Sequence, residues 1–222
     1  MSEQQRSSEP SASIQSVLLI GSNGFLGKTI PDRIVSRHPN CKVTLLDIAP
    51  KAALDYPYHR GDITNLSSLL EIFDKVKPQV VIHSATPPIT TVGQGSEKLY
   101  FSVNVEGTRN VIKACNETGV TALVYTSSAS VIYDGGDLIN ANEKQPYATK
   151  HVDAYNASKV LPVYILPSLH SIRHMPIDWF SRPILPPFIL VPFAHQPCSG
   201  PATGLSYPGC IMSSKIARRC GK

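Results

Sequence analysis

Tyr155-Asn-Ala-Ser-Lys159 sets a phenol and an ammonium four residues apart. On a helix that spacing puts both side chains on one face. An ammonium beside a phenol favours the phenolate and lowers its pKa. The tyrosine can then exchange a proton with a carbinol or carbonyl oxygen near neutrality. A second group comes from Tyr125-Thr-Ser-Ser-Ala-Ser130, which closes an apolar run. The Ser128 hydroxyl there can hold the same substrate oxygen, with Ser127 as the alternative, while Ser130 reads as structural.

Proton transfer at a carbinol needs a hydride partner, and the first turn of the chain can hold one. Gly21-Ser-Asn-Gly-Phe-Leu-Gly27 is a GxxGxxG stretch directly after an apolar run and at the start of a helical pattern. Glycines let a pyrophosphate approach the backbone, and a helix N-terminus offers free N–H groups and the positive end of a dipole. Gly21, Gly24, Phe25, Leu26 and Gly27 are therefore expected at a dinucleotide. Asp47 follows the second apolar run. A carboxylate there accepts hydrogen bonds from both ribose hydroxyls and repels a 2′-phosphate, which favours NAD over NADP. Asp47 as a plain turn cap is the other reading. Pro31 lies within the first helical pattern and predicts a kink.

Alternating elements must position these groups. Short apolar runs at 16–20, 42–46, 79–83 and 122–126 read as buried strands. Helical patterns fall at 25–37, at 64–76 (Leu66, Leu69, Leu70, Phe73, Val76), at 97–118 before Gly119, and from 151 to about 159. Fully apolar strands alternating with helices predict an α/β fold, a Rossmann-type doubly wound parallel sheet covered on both faces. The expected organisation is a flexible tail over 1–15, a dinucleotide-binding domain over 16–159 and an irregular tail over 160–222, so that the fold is truncated.

On these residues the chain resembles the extended short-chain dehydrogenase/reductases. Within them it is similar to the 3β-hydroxysteroid dehydrogenase group, nearest the sterol-4α-carboxylate 3-dehydrogenases (decarboxylating). The resemblance rests on Gly21–Gly27, Gly61-Asp-Ile-Thr64, His83-Ser-Ala85, Asn104-Val-Glu-Gly-Thr-Arg-Asn110, Tyr125-Thr-Ser-Ser-Ala-Ser-Val-Ile132 and Tyr155–Lys159. It implies Tyr155 as general acid/base, Lys159 as its tuner and holder of the nicotinamide ribose, and Ser128 as the group orienting the substrate oxygen. It also implies Asp62 and Ile63 beside the adenine, Ala85 and Thr86 along the cofactor, and Asn104 as support from its helix. Asp62 as a helix cap and His83 as a packed strand residue are the plainer alternatives. The implied reaction is NAD-dependent oxidation of a 3β-hydroxysterol carrying a C4 carboxylate, followed by decarboxylation. Another extended reductase or epimerase acting on a secondary-metabolite ketone or nucleotide sugar, or a non-catalytic dinucleotide-binding protein, would share these motifs.

Charge divides the chain at the same place. The 222 residues carry a net charge of +5 and 19 prolines. Residues 1–159 balance 15 basic against 15 acidic residues and hold 9 prolines, while residues 160–222 hold 6 basic, 1 acidic and 10 prolines. A neutral domain argues against a nucleic-acid partner. After Lys159 the family pattern stops, and Pro162 and Pro167 are expected to break the helix. With free third bases, the codons of Pro192–Cys210 read two bases later permit RPSALFGPGDRTQLPGL, the continuation the family carries. Residues 160–222 are therefore expected to be a retained intron or a gene-model error, translated out of frame and poorly ordered, leaving this form weakly active or inactive; a divergent C-terminal domain is the rival reading. Five cysteines without CxxC spacing predict neither disulfides nor a metal site. Met1–Ser16 lacks the apolar stretch of a signal peptide, and no apolar run reaches the roughly 18–20 residues of a spanning helix. The expected setting is cytoplasmic, with the sterol reading adding peripheral association at the cytosolic face of the endoplasmic reticulum; a homodimer is left open.

Overall fold

A computed structural model describes residues 14–51, 54–88, 96–142 and 145–165. The elements follow in the order β1 (Ser16–Ile20), α1 (Phe25–Arg37), β2 (Lys42–Asp47), β3 (Tyr58–Arg60), α2 (Leu66–Val76), β4 (Val80–His83), α3 (Ser96–Tyr100), α4 (Thr108–Thr118), β5 (Ala122–Tyr125) and α5 (Ala154–Ile165). A π-helical stretch, Phe101–Gly107, joins α3 to α4, and a 3₁₀ turn, Ala129–Ile132, follows β5. The five strands form one sheet in the order β3-β2-β1-β4-β5. Every neighbouring pair is parallel, with Val17 opposite both Val43 and Val80, and His83 opposite Tyr125.

The continuous apolar strands are explained by two cores, one on each face. Alternate side chains of β1 divide between them. Leu18 and Ile20 join Val81, Leu123, Phe73 of α2 and Val111 of α4. Val17 and Leu19 join Val43, Leu45, Ile82, Val124 and Ile34 of α1. Each fully buried aliphatic or aromatic side chain of this kind stabilises the fold by about 1.5–3 kcal/mol relative to exposure. The chain is packed from Ile14 onward: Ile14 is buried, and the Gln15 carbonyl accepts from the Lys42 amide at 2.8 Å.

Local chemistry sets the helix ends. Asn65 caps α2, its side chain accepting from the Ser68 amide, and Lys77 ends it in the left-handed region. Gly119, with φ of 73°, ends α4 as its position predicts. Asp153 opens α5 by accepting from the Asn156 amide at 2.7 Å.

Three expectations change. The helix expected at 97–118 is interrupted by the wide turn of Phe101–Gly107, which periodicity does not reveal. The edge strand β3 was not expected, because its three residues are polar or half-exposed. Helix α5 passes through Pro162 to Ile165 instead of breaking there. A proline removes one hydrogen bond and crowds the preceding turn; here it is buried next to Val160, and burial of that face offsets the loss. Pro31 likewise sits buried inside an uninterrupted α1. The expectations for residues 1–13 and 166–222, including Pro167 and the disordered tail, lie outside the described residues.

The β1–α1 turn is the tightest point of the sheet. A Cβ at Gly27 would overlap the Gly21 carbonyl and lie 2.8 Å from Ser22 Cα. Gly27→Ala is expected to destabilise the chain by about 1–3 kcal/mol in urea unfolding, whereas Ala at exposed Gly136, where the nearest atom would be 3.4 Å away, is expected to be close to neutral.

Candidate active site

All strands being parallel, their carboxyl ends share one edge. Strand order reverses between β1 and β4, the position where open α/β sheets bind ligands. The loops after β1, β2, β4 and β5 meet there.

Gly21 adopts φ of 86°, a conformation that strains other residues. Its missing side chain also lets the turn meet the next strand, since a Cβ would lie 2.5 Å from the Ala85 amide nitrogen. Gly24 precedes α1 without any side-chain cap, and the first turn of α1 contains no acidic residue. Gly27 packs the helix against the turn. Phe25 is 73% exposed and Leu26 half-buried, so both offer the cleft their backbone rather than a core contact. The Ser22 hydroxyl and Asn23 Oδ1 are buried without a protein partner. Open backbone, uncapped helix and orphaned polar atoms together fit a pyrophosphate.

Asp47 serves as a clamp within the protein. Its Oδ2 accepts from the Asn23 amide at 2.8 Å and its Oδ1 from the Ala49 amide at 3.0 Å. One carboxylate thus ties the glycine turn to the end of β2, and each oxygen keeps acceptor capacity for a hydroxyl. Asp62 accepts from the Thr64 amide at 2.8 Å, a turn-forming contact ahead of α2. The Ile63 side chain is buried in the core against Gly107, so only its backbone can face a cofactor.

Beyond β4 the polar chain is continuous. Thr86 Oγ1 donates to Asn104 Oδ1 at 2.9 Å, Asn104 Nδ2 donates to Ser158 Oγ at 2.8 Å, and Ser158 Oγ donates to the Tyr155 carbonyl at 2.8 Å. Asn104, 1% exposed, lies within the wide turn and links the β4 loop to α5.

Ser128 and Tyr155 meet, and Lys159 follows Tyr155 by four residues on α5. Ser128 caps the 3₁₀ turn, receiving the Ser130 hydroxyl at 2.9 Å, and it hydrogen-bonds the Tyr155 phenol. The Tyr155 ring meets Tyr100 edge-on at 5.5 Å. Lys159 Nζ donates to the Thr126 carbonyl at 2.9 Å and lies 4.6 Å from the centre of the Tyr125 ring. Behind them His83, fully buried, bonds Thr108 Oγ1 at 3.0 Å and is held neutral, its pKa pushed down to about 3 by burial and then by Lys159. His83 is thus a packed strand residue. Tyr100, Tyr125, Thr126 and Ser158 were not among the expected site residues; Tyr125, Thr126 and Ser158 lie inside the quoted motifs, but their contacts depend on how the elements pack.

One electrostatic expectation is reversed. The Tyr155 pKa is raised, because burial outweighs the Ser128 hydrogen bond that lowers it, with Tyr100 and Asp153 raising it further. Lys159 does not figure among the causes: burial pushes its own pKa down to about 7, and its proton goes to Thr126.

Parallel sheet, glycine turn and switch-point cleft, with Ser128 on Tyr155 and Lys159 on the same helix, define a Rossmann-type domain of the short-chain dehydrogenase/reductase class. Residues 18–165 match the 3-beta hydroxysteroid dehydrogenase/isomerase family, and the chain belongs to that family. The match extends beyond Lys159 to Ile165, where the resemblance was expected to stop at 159. Sterol-4-alpha-carboxylate 3-dehydrogenase, decarboxylating, of Schizosaccharomyces pombe is 43% identical over 154 residues, covering 67% of this chain and 44% of that protein. The human enzyme of the same description is 37% identical over 144 residues, covering 64% of this chain and 37% of its own. The chain therefore spans less than half the length of these relatives. Among solved structures, the UDP-glucose 4-epimerase of Thermus thermophilus in complex with NAD superposes with a TM-score of 0.61 at 27% identity, over 68% of this chain and 50% of that one. No described helix is long and apolar enough to cross a membrane.

The lysine gives the fold a signature against pH. Between about pH 7 and its ordinary 10.5, the unfolded chain holds a proton on Lys159 that the folded chain has released. The unfolded state binding more protons means that stability rises with pH through that window. Urea midpoints measured from pH 7 to 9.5 are expected to climb by the equivalent of roughly 1–3 kcal/mol, and Lys159→Met is expected to flatten the climb.

Proposed function

We propose that this chain carries the dinucleotide-binding and proton-transfer part of an NAD-dependent sterol-4α-carboxylate 3-dehydrogenase (decarboxylating). The observation that carries the reading is the 43% identity to the yeast relative across the segment that holds Ser128, Tyr155 and Lys159. Gly21–Gly27 would seat the pyrophosphate, with Phe25 and Leu26 contributing backbone. Asp47 would accept from the adenosine ribose, and its charge opposes a 2′-phosphate, hence NAD over NADP. The Asp62–Ile63 backbone would flank the adenine, and Ala85 and Thr86 would line the path to the nicotinamide.

Bound NAD supplies the acceptor for the hydride leaving C3 of the sterol. Ser128 orients the 3β-hydroxyl, and Tyr155 takes its proton as C3 becomes a ketone. Lys159, buried on Thr126, can lose or hold a proton near neutrality and so sets the charge beside the tyrosine. The 4-carboxylate, now β to a ketone, leaves as carbon dioxide, with the carbonyl accepting the electrons. A water-insoluble substrate supports peripheral association at the cytosolic face of the endoplasmic reticulum. A homodimer is compatible with the reading.

The chain covers less than half of its sterol-dehydrogenase relatives, so the test uses two forms. One is the 222-residue chain. The other replaces residues 160–222 by the frame-restored continuation, after the transcript has been sequenced across codon 159. The first is expected to bind NAD weakly without sterol turnover; the second is expected to form NADH with a 4α-carboxysterol. In the restored form, Tyr155→Phe is expected to lower turnover by about 10²–10⁴-fold while sparing NAD affinity. A restored protein that interconverts UDP-sugars and ignores sterols would support the epimerase reading, which the Thermus thermophilus structure favours. Binding of NAD without any turnover, unchanged in Tyr155→Phe, would leave a dinucleotide-binding protein.

A further inference from the structure

Lys159 is 3% exposed, and among the described residues its hydrogen-bond partner is one backbone carbonyl, that of Thr126. Whatever charge it carries must be balanced by what else touches it. The ring of Tyr125 lies beneath it, with Nζ 4.6 Å from the centroid. That is the geometry of a cation–π contact, which gains strength when water is excluded. Tyr125 is itself 3% exposed, and its hydroxyl has no hydrogen-bond partner among the described residues. The hydroxyl therefore does not explain the tyrosine's orientation. The orientation comes from the ring: His83, directly opposite in the parallel register, meets it edge-on at 5.4 Å, and His83 is bonded in turn to Thr108 at the start of α4.

We propose that Tyr125 is a positioning residue for Lys159, its ring face seating the ammonium while His83, anchored on Thr108, holds the ring in the required plane. The inference deepens the reading of the Ser-Tyr-Lys site given above, and it rests on that reading for its consequence in catalysis. The groups facing the ammonium are Tyr125 from β5 and His83 from β4, while Tyr155, one turn earlier on α5, acts on Tyr125. His83 stays neutral down to about pH 3, and both tyrosine pKa values are raised, so neither ring adds charge near neutrality. What remains to favour the charged lysine is the π face and the Thr126 carbonyl, against a burial that pushes its pKa down to about 7.

The test reads Lys159 directly. The full chain is labelled with ¹³Cε-lysine, the Lys159 signal is assigned by its loss in Lys159→Met, and its shift is followed against pH. Tyr125→Phe keeps the ring face and is expected to leave the midpoint in place. Tyr125→Leu removes the face and is expected to lower the midpoint by about one unit, a tenfold change in proton affinity. Should Tyr125→Leu fail to fold, a fluorinated phenylalanine at 125 keeps the shape while draining the ring's electrons, and it is expected to lower the midpoint in proportion to fluorination. An unmoved midpoint in the leucine or fluorinated variants, or a shift in Tyr125→Phe equal to theirs, overturns the proposal. NAD titration of the same samples separates the two claims. Absence of NAD binding in the frame-restored protein would sink the functional reading, while the lysine midpoints would still decide the role of Tyr125.

Discussion

An ammonium buried without a carboxylate is the constraint around which the carboxyl edge of this sheet is organised. Removing a charge from water costs several kcal/mol unless partners replace the solvent. Lys159 has a backbone carbonyl and an aromatic face in their place. Both come from the end of β5, so β5 must lie beside β4 at a fixed register, and α5 must lie across both. Asn104 and Ser158 meet part of that requirement from the other side, joining α5 to the loop after β4. Hydrogen bonds therefore tie α5 to the loops after β4 and β5.

The glycine turn answers a different demand. Gly21 and Gly27 are small because backbone meets backbone at that point, whether or not a ligand is present. Tight packing alone therefore accounts for the glycines, and a ligand at this turn would meet backbone that is already tied to Leu46 and Asp47. Asp47 belongs to both demands. Its carboxylate holds Asn23 and Ala49 in place before it can meet a ribose. Exchanging it to admit a 2′-phosphate would therefore disturb the turn as well as the charge.

How much of this could be read in the sequence depended on the kind of signal. Strands β1, β2, β4 and β5 were legible because burial on two faces leaves long apolar runs, and α1 matched its expected range, Phe25–Arg37. The three-residue β3 was not, since an edge strand of polar residues has no such pattern. The placing of Tyr155 and Lys159 on one helix was legible through their spacing, and the place of Ser128 through the apolar run that it follows. The contacts of Tyr100, Tyr125 and Thr126 depend on which element packs against which, and spacing along one element does not contain that. The direction of the Tyr155 shift was missed for the same reason: proximity of an ammonium follows from i,i+4 geometry, whereas burial and the lysine's preference for Thr126 follow from packing. Pro162 was overread, since a proline rule concerns an isolated helix and α5 is supported by its buried face.

The wide turn of Phe101–Gly107 acts on the two flanking helices as a phase shift. Each residue advances an α-helix by about 100°, so a turn that accommodates an additional residue rotates everything after it by about that angle. Tyr100, before the turn, packs on the ring of Tyr155; Thr108, after it, reaches the His83 that backs Tyr125. A single helical rod thereby addresses two layers of side chains, Tyr155 on α5 and the His83–Tyr125 pair under Lys159, from two different compass bearings.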